Sequence, residues 1–116
     1  MKTKLVEPSD KTFRSKVFEA VALIPKGKVV NYGFIAVMIG QPRSSRQVGF
    51  ALRSLSLEED IVPWWRVVNK QGYLSIEHGE AGMEKIIQKQ LLEAEGVKVE
   101  EDFTVNMHDY FWKYSK

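Results

Sequence analysis

The chain has 116 residues, 44% of them hydrophobic, enough for one compact core and too few for two. It contains no cysteine, which excludes disulfides, thiolate catalysis and the usual structural zinc sites and fits a reducing compartment. The net charge of +2 hides an asymmetry: residues 11–53 carry eight Lys or Arg against the one acid Glu19, a net of +7, whereas residues 54–116 carry seven basic against twelve acidic residues, a net of −5. A basic half beside an acidic half is expected where one face meets a polyanion.

In chain order, residues 1–10 read as a flexible lead-in and residues 11–116 as a single domain. Ser9 or Asp10 is placed to cap a first helix with Phe13, Val17, Ala20, Val21 and Ile24 on one apolar stripe, ended by Pro25-Lys26-Gly27. After the extended link Lys28-Val29-Val30, Asn31 has the side chain to cap a short helix, Tyr32 to Ile39, closed by Gly40. Gln41-Pro42-Arg43 makes a turn. Ser44 or Ser45 then caps a third helix to about Leu55, with Val48, Ala51, Leu52 and Leu55 buried and Arg43, Arg46, Gln47 and Arg53 polar.

Leu57 to Asp60 is an acidic loop, and Val62 to Asn69 reads as an extended segment. Asn69-Lys70-Gln71-Gly72 is a turn into Tyr73-Leu74-Ser75-Ile76, which together make a small hairpin. Ile76 to Gly82 is a loop, and Met83, Ile86, Ile87, Gln90, Leu91 and Ala94 define a helix that ends at Gly96. Val97 to Val99 is a short strand, and Tyr110-Phe111-Trp112 is expected to pin the C-terminus onto the core. The class is α+β, mainly α with a small β-hairpin. No segment approaches the ~18 apolar residues of a membrane span, so a cytoplasmic protein with no membrane partner is expected, nucleoid-associated if bacterial.

A short helix, a turn with Gly and Pro, and a helix carrying Arg and Gln in its first turn form the pattern of a helix-turn-helix. Its DNA-binding candidates are Tyr32, Arg43, Ser44, Ser45, Arg46 and Gln47: N–H groups and guanidinium groups at the start of the third helix suit phosphates or base edges. The alternative is an ordinary helical hairpin with solvated arginines, and the charge asymmetry favours the first reading. In Pro63-Trp64-Trp65-Arg66-Val67, two tryptophans precede an arginine. Tryptophan is not a nucleophile, general base or metal ligand in ordinary enzyme chemistry, so the segment works by shape, stacking and hydrogen bonding. Adjacent residues of an extended segment face opposite ways, so Trp64 and Trp65 are not expected to share one surface.

Several blocks in order resemble the C-terminal domain of the O6-alkylguanine-DNA alkyltransferases, and most closely their non-enzymatic relatives, the alkyltransferase-like proteins. They are Ile24-Pro25-Lys26-Gly27-Lys28-Val29 before Tyr32-Gly33, Ser45-Arg46-Gln47-Val48-Gly49, Pro63-Trp64-Trp65-Arg66-Val67, and Leu91-Leu92-Glu93-Ala94-Glu95-Gly96. The resemblance spans about residues 11 to 112 and implies a winged-helix-like helix-turn-helix domain. In the alkyltransferases the third block reads Pro-Cys-His-Arg-Val; here Trp64 stands at the alkyl-acceptor cysteine and Trp65 at the histidine. Glu95 matches the glutamate that orients that histidine and is left without those partners. Loss of both groups removes the transfer mechanism, so no enzyme activity is expected.

What the resemblance implies instead is binding. Tyr32 presses on the phosphate of the target nucleotide, and Arg46 fills the stack vacated by a flipped base, in a minor-groove docking helped by the small residues Gly49 and Ala51. The implied lesion pocket holds Trp64, Trp65, Val67, Ser75, Glu77 and Glu95. Glu77 falls where alkyltransferase-like proteins can carry an arginine against the base, with Lys70 or His78 as substitutes, and Arg66 is structural, bracing the hairpin. Leu55 stands where alkyltransferases carry an asparagine hinge. The implied partners are duplex DNA with O6-alkylguanine and nucleotide excision repair proteins, with no metal or organic cofactor, and the chain is expected to be a monomer. The rivals are a sequence-specific helix-turn-helix regulator and a base-excising hydrolase using Glu77, Glu95 or His78.

Overall fold

The computed structural model describes residues 12–55, 62–75 and 83–113. The lead-in, the acidic loop and the segment holding Glu77 and His78 lie outside the described residues. Helix α1, Phe13–Ala22, starts at Thr12 rather than at Ser9 or Asp10, because the Thr12 hydroxyl oxygen accepts from Ser15 N at 3.0 Å. Its stripe is buried as the spacing requires: Val17, Ala20, Val21 and Ile24 all lie in the core. Strand β1, Val30–Asn31, runs directly into α2, Tyr32–Met38, where Asn31 Oδ1 accepts from Phe34 N at 2.8 Å. Helix α3 is Ser45–Arg53, and Val48, Ala51, Leu52 and Leu55 are buried against α1 and α2. Arg14 of α1 donates to the Ser54 hydroxyl at 2.7 Å and its carbonyl at 3.2 Å, tying α1 to the end of α3.

The tryptophan segment departs from the extended reading. Trp64–Arg66 is a single 3₁₀ turn, and only Val67–Val68 continues as strand β2. Nor does β2 form a hairpin: it pairs in parallel with β1, Val30 with Val67 and Asn31 with Val68. The predicted turn is present, since Asn69 Oδ1 accepts from Gln71 N and Tyr73 N, both at 2.9 Å, and Gly72 N donates to Asn69 O. Beyond it the chain finds another partner. Tyr73 bridges antiparallel to Thr104, Leu74 N donates to Phe103 O, and Val105 N donates to Gly72 O. Gly72 has φ +87°, and a Cβ there would stand 2.3 Å from Val105 O, so this crossing requires glycine. The class stands, mainly α with one small sheet.

The parallel pair divides two cores. Val30 and Val67 belong to the core under α1–α3, and Val29 and Val68 to a second core with Leu74, Leu92, Val97, Val99 and Val105, as the two-residue pleat dictates. The second core is closed by α4, Met83–Ala94, and by α5, Met107–Tyr110. Phe111 bridges to Val29 and meets Phe34 edge-on at 5.0 Å, so the expected C-terminal aromatic cluster does reach the core. No helix among the described residues is long and apolar enough to cross a membrane.

The buried face of α4 is not lined by apolar residues alone. Ile86 is 47% exposed and Ile87 38%, whereas Gln88 and Leu92 are fully buried. The reason is backbone satisfaction: Gln88 Nε2 donates to Trp65 O at 3.1 Å and Val67 O at 3.0 Å, pairing two carbonyls where the 3₁₀ turn meets the short strand. Leaving two buried acceptors unpaired should cost roughly 2–4 kcal/mol. Gln88→Leu is expected to lose that amount in urea denaturation with an unchanged m-value; wild-type stability would show that the amide does not hold the turn.

Candidate nucleic-acid interface

Capping by Asn31 puts Tyr32 in the first turn of α2, half-buried against α3. Across from its ring lies Gly49, where a Cβ would sit 3.8 Å from Tyr32 Cε1, an ordinary contact. The Tyr32 and Ser75 hydroxyls share a hydrogen bond of 2.9 Å, which brings the segment after the Asn69 turn to the edge of the helix pair. Burial raises the Tyr32 pKa above the ordinary phenol value, against smaller opposing effects of the Ser75 hydrogen bond and the Arg53 charge. The hydroxyl is therefore neutral in any physiological buffer and able to donate.

These residues line a cleft of about 190 Å³ with Ser45, Arg46, Gly49, Phe50 and Arg53. Positions 46, 49, 50 and 53 are one face of α3, opposite the buried Val48, Ala51, Leu52 and Leu55. The cleft is thus a polar stripe with two arginines at its ends and one exposed aromatic ring between them. Ala51 faces the core, so of the two small residues only Gly49 opens this face. Of the sequence candidates, Tyr32, Ser45, Arg46 and Ser75 meet in the cleft, while Arg43 and Gln47 are exposed outside its lining. Ser44 occupies the N-cap position of α3 but makes no side-chain capping bond, unlike Thr12 and Asn31. Phe50 and Arg53 were missed as site residues, although both lie one or two turns along the face that Arg46 defines.

The other proposed pocket residues are distributed differently. Trp64 is half-buried against the α1–α3 core and Trp65 against the second core, their rings edge-on at 6.0 Å. Successive residues of a 3₁₀ turn diverge by about 120°, so the rings separate although the segment is not extended. Neither is among the cleft-lining residues. Val67 is fully buried in the core and offers no side-chain surface to a pocket.

Glu95 is not left without partners. Its carboxylate accepts from Trp65 Nε1 at 2.8 Å, from Arg66 Nη2 at 2.6 Å and from Gly27 N at 3.1 Å, with its side chain only 8% exposed. Arg66 also donates through Nη1 to Ile24 O at 2.7 Å, so it is structural, as expected, but braces helix ends rather than a hairpin. Burial pushes the Glu95 carboxyl up, and the bonds from Arg66, Trp65 and Gly27 together with the Arg66 charge outweigh it, so the net shift is downward.

No three His, Asp or Glu side chains gather to hold a metal among the described residues. A wider, open depression of about 610 Å³ is lined by Lys98, Val99, Glu100, Glu101, Asp102 and Thr104, three acids that would repel a phosphate backbone.

The helix pair and its arginine-flanked cleft define a helix-turn-helix DNA-binding domain. Residues 12–97 match the family model of the 6-O-methylguanine DNA methyltransferase, DNA binding domain. Alkyltransferase-like protein 1 of Schizosaccharomyces pombe is 42% identical over 105 residues, which cover 87% of this chain and 94% of that one. The DNA base-flipping protein of Vibrio parahaemolyticus is 43% identical over 101 residues, covering 87% and 96%. Among solved structures, S. pombe Atl1 in complex with damaged DNA containing O6-carboxymethylguanine superposes with a TM-score of 0.78 at 40% identity, covering 88% of this chain and 95% of that chain. The chain belongs to the DNA-binding-domain family of the 6-O-methylguanine DNA methyltransferases and, within it, to the alkyltransferase-like proteins.

Because the folded Glu95 carboxyl titrates below its ordinary value of 4.5, its stabilisation is complete above that value and lost as pH falls through the folded one. Denaturation midpoints measured from pH 7 to pH 3 should drop over that window. Glu95→Gln should weaken the drop and, by leaving Arg66 without its charge partner, cost about 3 kcal/mol at pH 7. A variant with the wild-type pH profile would contradict this assignment.

Proposed function

We propose that the protein is a non-catalytic sensor of O6-alkylguanine in duplex DNA that flips the damaged base and directs the site to nucleotide excision repair. The observation that carries this reading is the cleft on α3: a neutral tyrosine hydroxyl and two arginines sit together on the exposed face of a helix-turn-helix. The chain has no cysteine to accept an alkyl group, and Trp64 and Trp65 take the positions of the alkyl acceptor and its base. S. pombe Atl1, with which it shares its fold, has been captured on damaged DNA.

Each group has a task in this reading. The first turn of α3, with no side-chain cap from Ser44, offers N–H groups to a phosphate, and Arg43 and Gln47 flank it. Arg46 enters the stack from the minor groove as the nucleotide leaves, and Tyr32, held by Ser75, presses on its phosphate. Extrusion costs a few kcal/mol and least where pairing is already damaged, so the lesion itself lowers the barrier. Trp64 offers the extruded base an aromatic surface, and Ser75, Glu77, Trp65 and Glu95 support the pocket. Glu77 in place of a cation leaves base selectivity to shape and stacking, with Lys70 or His78 near the base. The protein works as a monomer, and the marked site recruits repair proteins without a metal or cofactor.

The test is titration of one fluorescent duplex with and without O6-methylguanine at fixed salt. Wild type should prefer the lesion, Arg46→Ala should lose about tenfold or more on the lesion duplex, and Tyr32→Phe should lose less than Tyr32→Ala. Equal affinity of wild type for the two duplexes would sink the lesion-sensor reading, and formation of an abasic site would replace it with a base-excising enzyme.

A further inference from the structure

Phe50 is the large apolar side chain of the cleft, and it is 52% exposed. Neither core cluster of the described residues includes it, and the buried stripe of α3 is complete without it. Its place is specific: four residues after Arg46 and three before Arg53, it stands on the same face as both, and the Arg53 guanidinium lies 5.2 Å from its ring centre. A cation over an aromatic face leaves the ring's other face available and holds the arginine close to it.

We infer that Phe50 is a further DNA-contacting residue of α3, an apolar wedge that stacks on the nucleotide neighbouring the one Arg46 displaces, while Arg53 beside it meets the phosphate. This deepens the proposed binding of damaged duplex and rests on it. Minor-groove proteins that bend DNA insert apolar side chains between base steps, and the four residues along α3 from Arg46 to Phe50 rise about 6 Å, less than two base steps. The occupant is duplex DNA rather than an apolar protein partner because arginines bracket the ring on both sides.

The experiment compares wild type, Phe50→Ala, Phe50→Leu, Phe50→Trp and Arg53→Ala on duplexes with and without O6-methylguanine, across a salt series, with 2-aminopurine as a fluorescent reporter beside the lesion. Phe50→Ala should bind the lesion duplex about tenfold more weakly, the cost of one stacked base. Its salt slope should not change, because no charge is removed, and the 2-aminopurine signal of unstacking should be lost. Phe50→Trp should restore both and Phe50→Leu only part. Arg53→Ala should instead flatten the log–log salt slope by about 0.9. Wild-type affinity and fluorescence in Phe50→Ala, with wild type still preferring the lesion, would overturn the wedge and leave the lesion-sensor reading intact. If Phe50→Ala loses affinity only through a flattened salt slope, the ring merely positions Arg53 and the inference fails. Because the ring is exposed, melting temperatures of these variants should match wild type; a Phe50→Ala protein that melts early would show that the ring is structural and overturn it too.

Discussion

The arrangement of this domain depends on one carboxylate. Glu95, at the end of α4, receives the Trp65 indole N–H, the Arg66 guanidinium and the Gly27 amide at once. These three groups come from the 3₁₀ turn and from the turn that ends α1, so one side chain ties those two stretches of chain to the end of α4. A carboxylate that is only 8% exposed would be expensive if it lacked partners, and here its oxygens are bonded and its charge is matched. Removing any one donor leaves the rest of a buried charge to be satisfied by fewer groups, which is why such a cluster behaves as a unit.

That point of fixation explains the division of the tryptophans. The segment after Pro63 must turn within three residues if Arg66 is to reach Glu95 and Ile24 while Val67 pairs with Val30. A 3₁₀ turn does this, and it sends Trp64 toward the helical core and Trp65 toward the second core with its N–H on Glu95. A ring with one N–H donor suits this position, since the indole satisfies the carboxylate and fills volume in the core together. The two tryptophans are therefore not equivalent: one is committed to the carboxylate, and the other is half-buried beside the helices that carry the cleft.

Much of this was legible in the sequence because local rules and tertiary structure agree over residues 13–55. The stripe of α1, the Asn31 cap, the turn at Gly40 and the buried face of α3 all follow from spacing and capping chemistry. Local rules are silent where a polar side chain faces inward: Gln88 in α4 and Glu95 just past its end hold backbone and guanidinium groups, and nothing in the spacing marks either of them while Ile86 and Ile87 stay exposed. At the sheet they mislead, because an Asn-Lys-Gln-Gly turn between β-like runs reads as a hairpin, and nothing local says that residues 73–74 pair thirty residues onward. In the cleft, Tyr32 and Arg46 stand out by type and position, whereas Phe50 carries no local signal, because only its exposure distinguishes it from any other apolar residue of a helix.

The residues that line the cleft sit on α2 and α3, with Ser75 reaching them through the Tyr32 hydroxyl, while the turn with the tryptophans is anchored at the end of α4 through Trp65 and Arg66. The parallel pair of β1 and β2 is the seam, since β1 leads without a break into Tyr32 and β2 follows Arg66 without a break. A cleft residue and the tryptophan turn are joined through two backbone-paired strands and a bonded carboxylate, so the fold itself sets their relative placement. The chain has no cysteine, so no thiolate competes for the Glu95 carboxylate, and its bonds to Trp65, Arg66 and Gly27 make it a fixed strut between the two ends of this seam.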